Sequence, residues 1–261
     1  MPKGEIAARI RTGVLALVGI ALLLLLPWQL AVLMGTKAVI LPPISKVVDA
    51  AIWLSESNAL VPAALVSLFR VNVGFAIAVL MAVPLGFILG RSHRLFLALE
   101  PLIEFFRFVI PFAWIPIAIL WFGVHEAGKI FIIWYAGFFI VLLHAIAGVR
   151  GVDPDLIKAA KTLGASERLI FRKVVFPAAI PTTMTGLRLA FATCWIALIA
   201  AEMVAARSGL GFMIMDAREF LQTNVVIFGM ILIGAIGVLY NALFEFLEGR
   251  IVRNRAQTRS S

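Results

Sequence analysis

Six stretches of this chain are almost free of charge, near residues 12–34, 62–90, 98–122, 129–148, 182–204 and 224–247. Each reaches about 20 residues, the length an α-helix needs to cross a bilayer. None alternates apolar and polar positions as a barrel strand must, and backbone in lipid has to pair within its own segment. Six membrane-spanning helices are therefore predicted, in an all-α integral membrane protein. The first stretch also has to be weighed as a leader peptide. Its apolar run from Val14 to Met34 is long, contains Pro27 and lacks a following small-x-small cleavage pattern, so it is read as the first span.

Between the spans the pattern changes. Residues 35–61 are broken by Pro42-Pro43 and then carry Val47, Val48, Ala51, Ile52 and Leu54, which predicts a short interfacial helix. From Asp155 to Pro181 the chain reads DLIKAAKTLGASERLIFRKVVFPAAIP, a charged island between apolar runs. Its Leu156, Ile157, Ala160, Leu163 and Leu169-Ile170 recur at helical spacing. Asp153 before Pro154 predicts an N-cap, Gly164 a C-cap, and Ser166 with Glu167 the start of a second short helix. The first helix would be roughly ten residues, too short to span a membrane. Either it lies on a lipid surface or it offers a close-approach knob of Ala159, Ala160 and Gly164 to a partner. After Ser208-Gly209-Leu210-Gly211, the residues Phe212, Ile214, Met215, Phe220 and Leu221 predict a further short re-entrant or interfacial helix.

Composition agrees with this picture: 62% of 261 residues are hydrophobic and 14% charged, where a soluble domain is about a quarter charged. Charge then orients the chain. Fifteen lysines and arginines fall in the N-terminus, 91–97, 149–181 and the C-terminus, against five in 35–61, 123–129 and 205–223. The positive-inside rule places both termini and the 150–181 loop in the cytoplasm. The net charge of +9 reflects that bias, and scattered basic residues at membrane edges give no surface for nucleic acid. Cys194, the single cysteine, is expected to be a buried thiol.

Several spans carry residues that need a reason. Ala78, Ala82, Gly86 and Gly90 form a small-residue ridge suited to close helix packing, with Pro84 beside it. The third span holds Pro101, Pro111 and Pro116, and its Glu104 and Arg107, three apart, are expected to pair ahead of contacting a solute. His144 is expected to be packed or hydrogen-bonded. The fifth span, read as beginning after Pro181, presents Thr185, Arg188, Thr193, Trp195 and Glu202; with Arg107 these are the candidate pathway residues. The stretch from Gly123 to Ile130 has the letter spacing Gly-x4-Gly-Lys, but Ile130 replaces the metal-binding hydroxyl and no strand precedes it. It also lacks the second histidine of a zinc protease. No catalytic role is assigned to this chain.

The 155–181 island resembles the coupling loop of ATP-binding-cassette (ABC) importer permeases, with Ala159-Ala160, Gly164 and Val174-x-Phe176-Pro177 at the family's offsets. Further stretches, among them SLFRVNVGFAIAVLMAVPLGFILG, ILWFGVHEAGKI, GLRLAFATCWIALIAAEMVAARSGLGF and DAREFLQTN, resemble the nitrate, sulfonate, taurine and bicarbonate branch, over about residues 65–250. The resemblance implies a type I importer permease fold in a bacterial inner membrane, two permease copies, two cytoplasmic ATPases and an extracytoplasmic solute-binding protein. ATP and Mg²⁺ would bind the ATPases, and no cofactor this chain. Asp155, Lys158, Ala159, Ala160, Leu163, Gly164, Ala165, Phe176 and Pro177 would couple to the ATPases; Lys158 stands where the family has Glu. The implied solute is a small anion, taurine-like or another organosulfonate first, then nitrate, bicarbonate or an aromatic carboxylate. The implied organisation is an N-terminal part over 1–61, a core over 62–250 and a basic tail over 251–261. A self-contained secondary transporter or channel is the competing reading, and it needs intramembrane carboxylates and repeat symmetry. Only Glu104 and Glu202 are offered for it.

Overall fold

A computed structural model describes residues 27–257 apart from 36 and 38, and within these all regular structure is helical. The chain forms two compact units: described residues up to Ala59 with Ile214–Met230, and Leu60–Met213 with the described residues from Ile231 onward.

In the first unit, α1 (Ile44–Glu56) begins directly after Pro43. It buries Val47, Ala50 and Leu54, while Val48 and Ile52 are exposed. The expected helix is there, but its inward stripe follows i, i+3, i+7 rather than the broader set read from sequence. Val48 and Ile52 are four apart and share the other side of the helix. Thr223 donates to the Val39 carbonyl, and the Asn224 side chain to that of Lys46 at 3.4 Å. The expected first span, 12–34, lies mostly outside the described residues; 27–33 are helical.

The second unit is built on α2 (Leu60–Arg91), α5 (Glu126–Arg150) and α8 (Phe176–Ala205), with much of α10 (Thr223–Gln257) beside them. The small-residue ridge of α2 meets α5. A Cβ on Gly86 would fall 2.5 Å from Ala145 Cβ, and one on Gly90 2.6 Å from Val149 Cβ. Ala78 and Ala82 are fully buried between them. Lipid offers no hydrophobic gain for helix association, so close backbone approach supplies the contact.

The expected third span is not one rod. It divides into α3 (His93–Phe108) and α4 (Ile115–Phe122), joined through a 3₁₀ turn at Pro111–Trp114 and bent by 84°. Proline disfavours helical geometry in the residue before it, and Val109 and Ile110 are extended. The fifth span also differs from expectation. Helix continues from α7 (Glu167–Ile170) through a π turn at Phe171–Val175 into α8, so Pro177 and Pro181 lie within it. Pro177 lies just past the π turn, where the regular i→i−4 ladder is already interrupted and a missing N–H is tolerated. Among the described residues, four helices are long and apolar enough to cross a membrane, five if the bent pair counts as one.

Candidate functional site

The charged island folds as the capping residues dictate. α6 (Pro154–Thr162) opens with the Asp153 carboxylate accepting from the Asp155 N–H at 2.8 Å. It closes with Gly164 N–H on the Lys161 carbonyl (2.9 Å) and Ala165 N–H on Ala160 (3.1 Å). That pair is a Schellman ending, and it requires the left-handed φ of +77° found at Gly164. Ser166 then caps α7. No residue of α6 is buried; Ile157 and Ala160 lean on the cluster around Val149 and Ile170, and Leu163 is 87% exposed. Ala159 is exposed, Ala165 half-buried, and Lys158 pairs with Asp155 at 2.9 Å in open solvent. Glu167 accepts from Arg91 of α2 and Lys161 of α6, both at 2.9 Å, tying the loop to the bundle. Phe171 packs edge-on against Phe87, Phe176 is 45% exposed and Pro177 half-buried.

A second constellation lies inside the bundle around a residue that sequence reasoning passed over. Arg70, 1% exposed, gives its five N–H donors to five acceptors. Glu126 takes Nε and Nη2 at 2.5 and 2.7 Å, Glu202 takes Nη1 at 2.7 Å, and Ser208 accepts through its carbonyl (2.7 Å) and hydroxyl (3.0 Å). Ser67 donates to Glu202, which also accepts the Gly211 N–H at 3.0 Å. Lys129, buried in the first turn of α5, pairs with Glu126 at 3.0 Å. The Gly-x4-Gly-Lys stretch therefore spans the end of α4, where Gly123 has φ +66°, and the start of α5. Gly209 and Gly211 are explained by the same network: a Cβ on Gly209 would lie 2.3 Å from Glu202, and one on Gly211 2.5 Å from the Ile199 carbonyl. α9 (Leu210–Glu219) starts there; Phe220 and Leu221, expected within that helix, follow its end.

The candidate pathway residues divide. Glu202 is sealed at 0% exposure, because its carboxylate is consumed by Arg70, Ser67 and Gly211; this removes it from any open passage in this conformation. Arg107 pairs with Glu104 at 3.0 Å, both partly exposed. Thr193 donates to the Leu189 carbonyl, and Trp195 is buried with Nε1 on the Ile233 carbonyl. Thr185 and Arg188 share an exposed face with Asn241, Glu245 and Glu248. His144 bonds the Ile140 carbonyl at 2.8 Å, and Cys194 is a sealed thiol donating to Ile133.

Residues 82–253 match the family model described as "Binding-protein-dependent transport system inner membrane component". The chain belongs to that family. As an importer permease of this family it is non-catalytic, is paired with a separate ATPase and a solute-binding protein, and resides in the inner membrane. It is 36% identical to the taurine transport system permease protein TauC of Escherichia coli over 237 residues, 89% of this chain and 86% of that one. It is 37% identical to the bicarbonate transport system permease protein CmpB of Synechococcus elongatus, over 72% of this chain and 68% of that one. The fold is shared with the MetNI methionine ABC transporter in an inward-facing form, at TM-score 0.63 and 21% identity over 77% of this chain and 97% of that chain. It is also shared with an amino acid ABC transporter solved with histidines, at 0.61 and 19% over 77% and 96%. The type I importer fold and the family read from the coupling-loop motif are thus both found.

Proposed function

We propose that two copies of this chain form the translocation pathway of an ATP-driven importer for a small anion. An organosulfonate of the taurine type comes first, then nitrate, bicarbonate or an aromatic carboxylate. Energy enters through residues 155–177, which dock a cytoplasmic ATPase on each copy; the termini share that side of the membrane. The observation that carries this reading is α6. It is capped at both ends, tied to α2 through Glu167 and Arg91, and presents Ala159, Leu163 and Gly164 outward. A helix with that much uncovered surface and so rigid a frame suits insertion into a partner's groove. The relatives named for taurine and bicarbonate transport support the solute class.

A Cβ built on Gly164 meets no atom within 4 Å, so a bulky side chain there projects toward a partner. Gly164→Trp and Ala160→Asp are expected to abolish co-purification of the ATPase while circular dichroism retains the helical content. Gly164→Ala, which carries the same backbone strain at φ +77° without the bulk, is expected to weaken it far less. An ATPase that still accompanies both variants would overturn the docking role. The solute class is checked by identifying the ligand carried by the associated binding protein; a cation or a sugar there would refute the anion assignment.

A further inference from the structure

α8 and α10 flank an open groove of about 340 Å³, walled by Phe191, Trp195 and Phe244. At one end stands a polar cluster on otherwise apolar helices. Arg188 Nε donates to Asn241 Oδ1 at 2.8 Å, Nη2 to Glu245 at 2.5 Å, and Nη1 lies 4.0 Å from Glu248. The Thr185 hydroxyl lies between the Pro181 carbonyl at 3.2 Å and the Glu248 carboxylate at 3.4 Å. Unlike Arg70, these groups are not sealed: the side chains of Arg188, Glu245 and Glu248 are 34%, 55% and 30% exposed. Charges on a membrane-spanning helix face an assembly's interior or a water-filled passage rather than lipid. This face of α8 and α10 therefore borders the assembly's interior or water and not lipid.

The cluster is unbalanced, with one guanidinium against two carboxylates. A simple anion reaching Arg188 meets Glu245 and Glu248 on the same side and is repelled. A molecule carrying an anionic head and an ammonium group satisfies both signs. Its head takes guanidinium N–H groups now held by Glu245, its ammonium donates to the carboxylates, and its short apolar middle lies against Phe191 and Trp195. The geometry points to a way station for a small zwitterion, an aminosulfonate in preference to an inorganic anion. This deepens the importer reading above and rests on it.

The test uses the permease–ATPase complex in lipid nanodiscs without binding protein, with radiolabelled taurine and a scintillation proximity readout. Unlabelled taurine should displace the label far better than nitrate or ethanesulfonate, which keeps the skeleton but lacks the amine. Glu248→Gln should weaken taurine about tenfold, the worth of one charge-assisted hydrogen bond, and strengthen ethanesulfonate, because one of the carboxylates that repel it is gone. Arg188→Gln should abolish binding of both, and Arg188→Lys should retain part of it. No taurine binding to the wild-type complex, equal competition by ethanesulfonate, or equal effects of Glu248→Gln on both ligands would overturn the inference. Unchanged binding in Arg188→Gln would reduce Arg188 to a tie between two helices. Intact uptake through a loaded binding protein alongside any of these failures removes only the groove, whereas a chain that brings no ATPase with it removes the importer reading itself.

Discussion

Arg70 is the only charged residue between Glu56 and Arg91, and its burial makes it the hub of the α2–α5–α8 bundle. Removing one partner of a buried pair leaves the other charge uncompensated in a low-dielectric interior. Arg70→Met is therefore expected to cost about 3–5 kcal/mol, read as a lowered unfolding midpoint in detergent. Arg107→Ala should change stability by less than about 1 kcal/mol, because the Glu104–Arg107 pair is exposed on both sides. The contrast tests whether burial, rather than the presence of a charge on a span, decides the energetics. Sequence inspection singled out Glu104, Arg107 and Glu202 but missed Arg70. The same rule about charges in apolar runs applied to it equally, but its partners lie 56 and 132 positions away and no local spacing announces them.

At the scale of elements, the α2 ridge and the 155–177 loop make opposite demands on glycine. Gly86 is needed for space: its absent side chain lets α5 approach to within contact of Ala145 and the Leu142 carbonyl. Gly86→Val should overpack this seam and destabilise the protein by about 1–3 kcal/mol. Ala145→Gly should relieve part of the cost of the milder Gly86→Ala, measured as a double-mutant cycle. Gly164 is needed for its backbone instead. Gly164→Ala keeps ample room but forces an L-residue to φ +77°, at a cost of roughly 1–2 kcal/mol, expressed as fraying of α6. Periodicity located both elements because their side chains face one neighbour. It failed at the third span, where the proline rule acting on Ile110 broke a largely apolar run.

For the whole molecule, the asymmetry of lysine and arginine is the feature that bears on how the chain sits in a membrane. The positive-inside rule assigns both termini and the 155–177 loop to the basic, cytoplasmic side, so a fluorescent-protein fusion after Ser261 should fold and fluoresce in the bacterial cytoplasm. A periplasmic reporter joined there should stay inactive. The reverse result would invert the orientation and place the 155–177 loop beyond reach of an ATPase.

Hydropathy alone determined that the chain is a helical membrane protein, and motif spacing alone pointed to its family, since both depend on neighbours in sequence. Caps at Asp153, Gly164 and Ser166 were legible for the same reason: each acts on backbone groups within a few residues. Tertiary structure decided which charges are sealed and which stay exposed. It put Glu202 under Arg70 and Ser67, brought Arg188 to Glu245 and Glu248, and turned Gly209 into clearance for a carboxylate and Gly211 into clearance for the α8 backbone. Those outcomes depend on which helix faces come together, and electrostatic energy follows distance and burial through space rather than order along the chain.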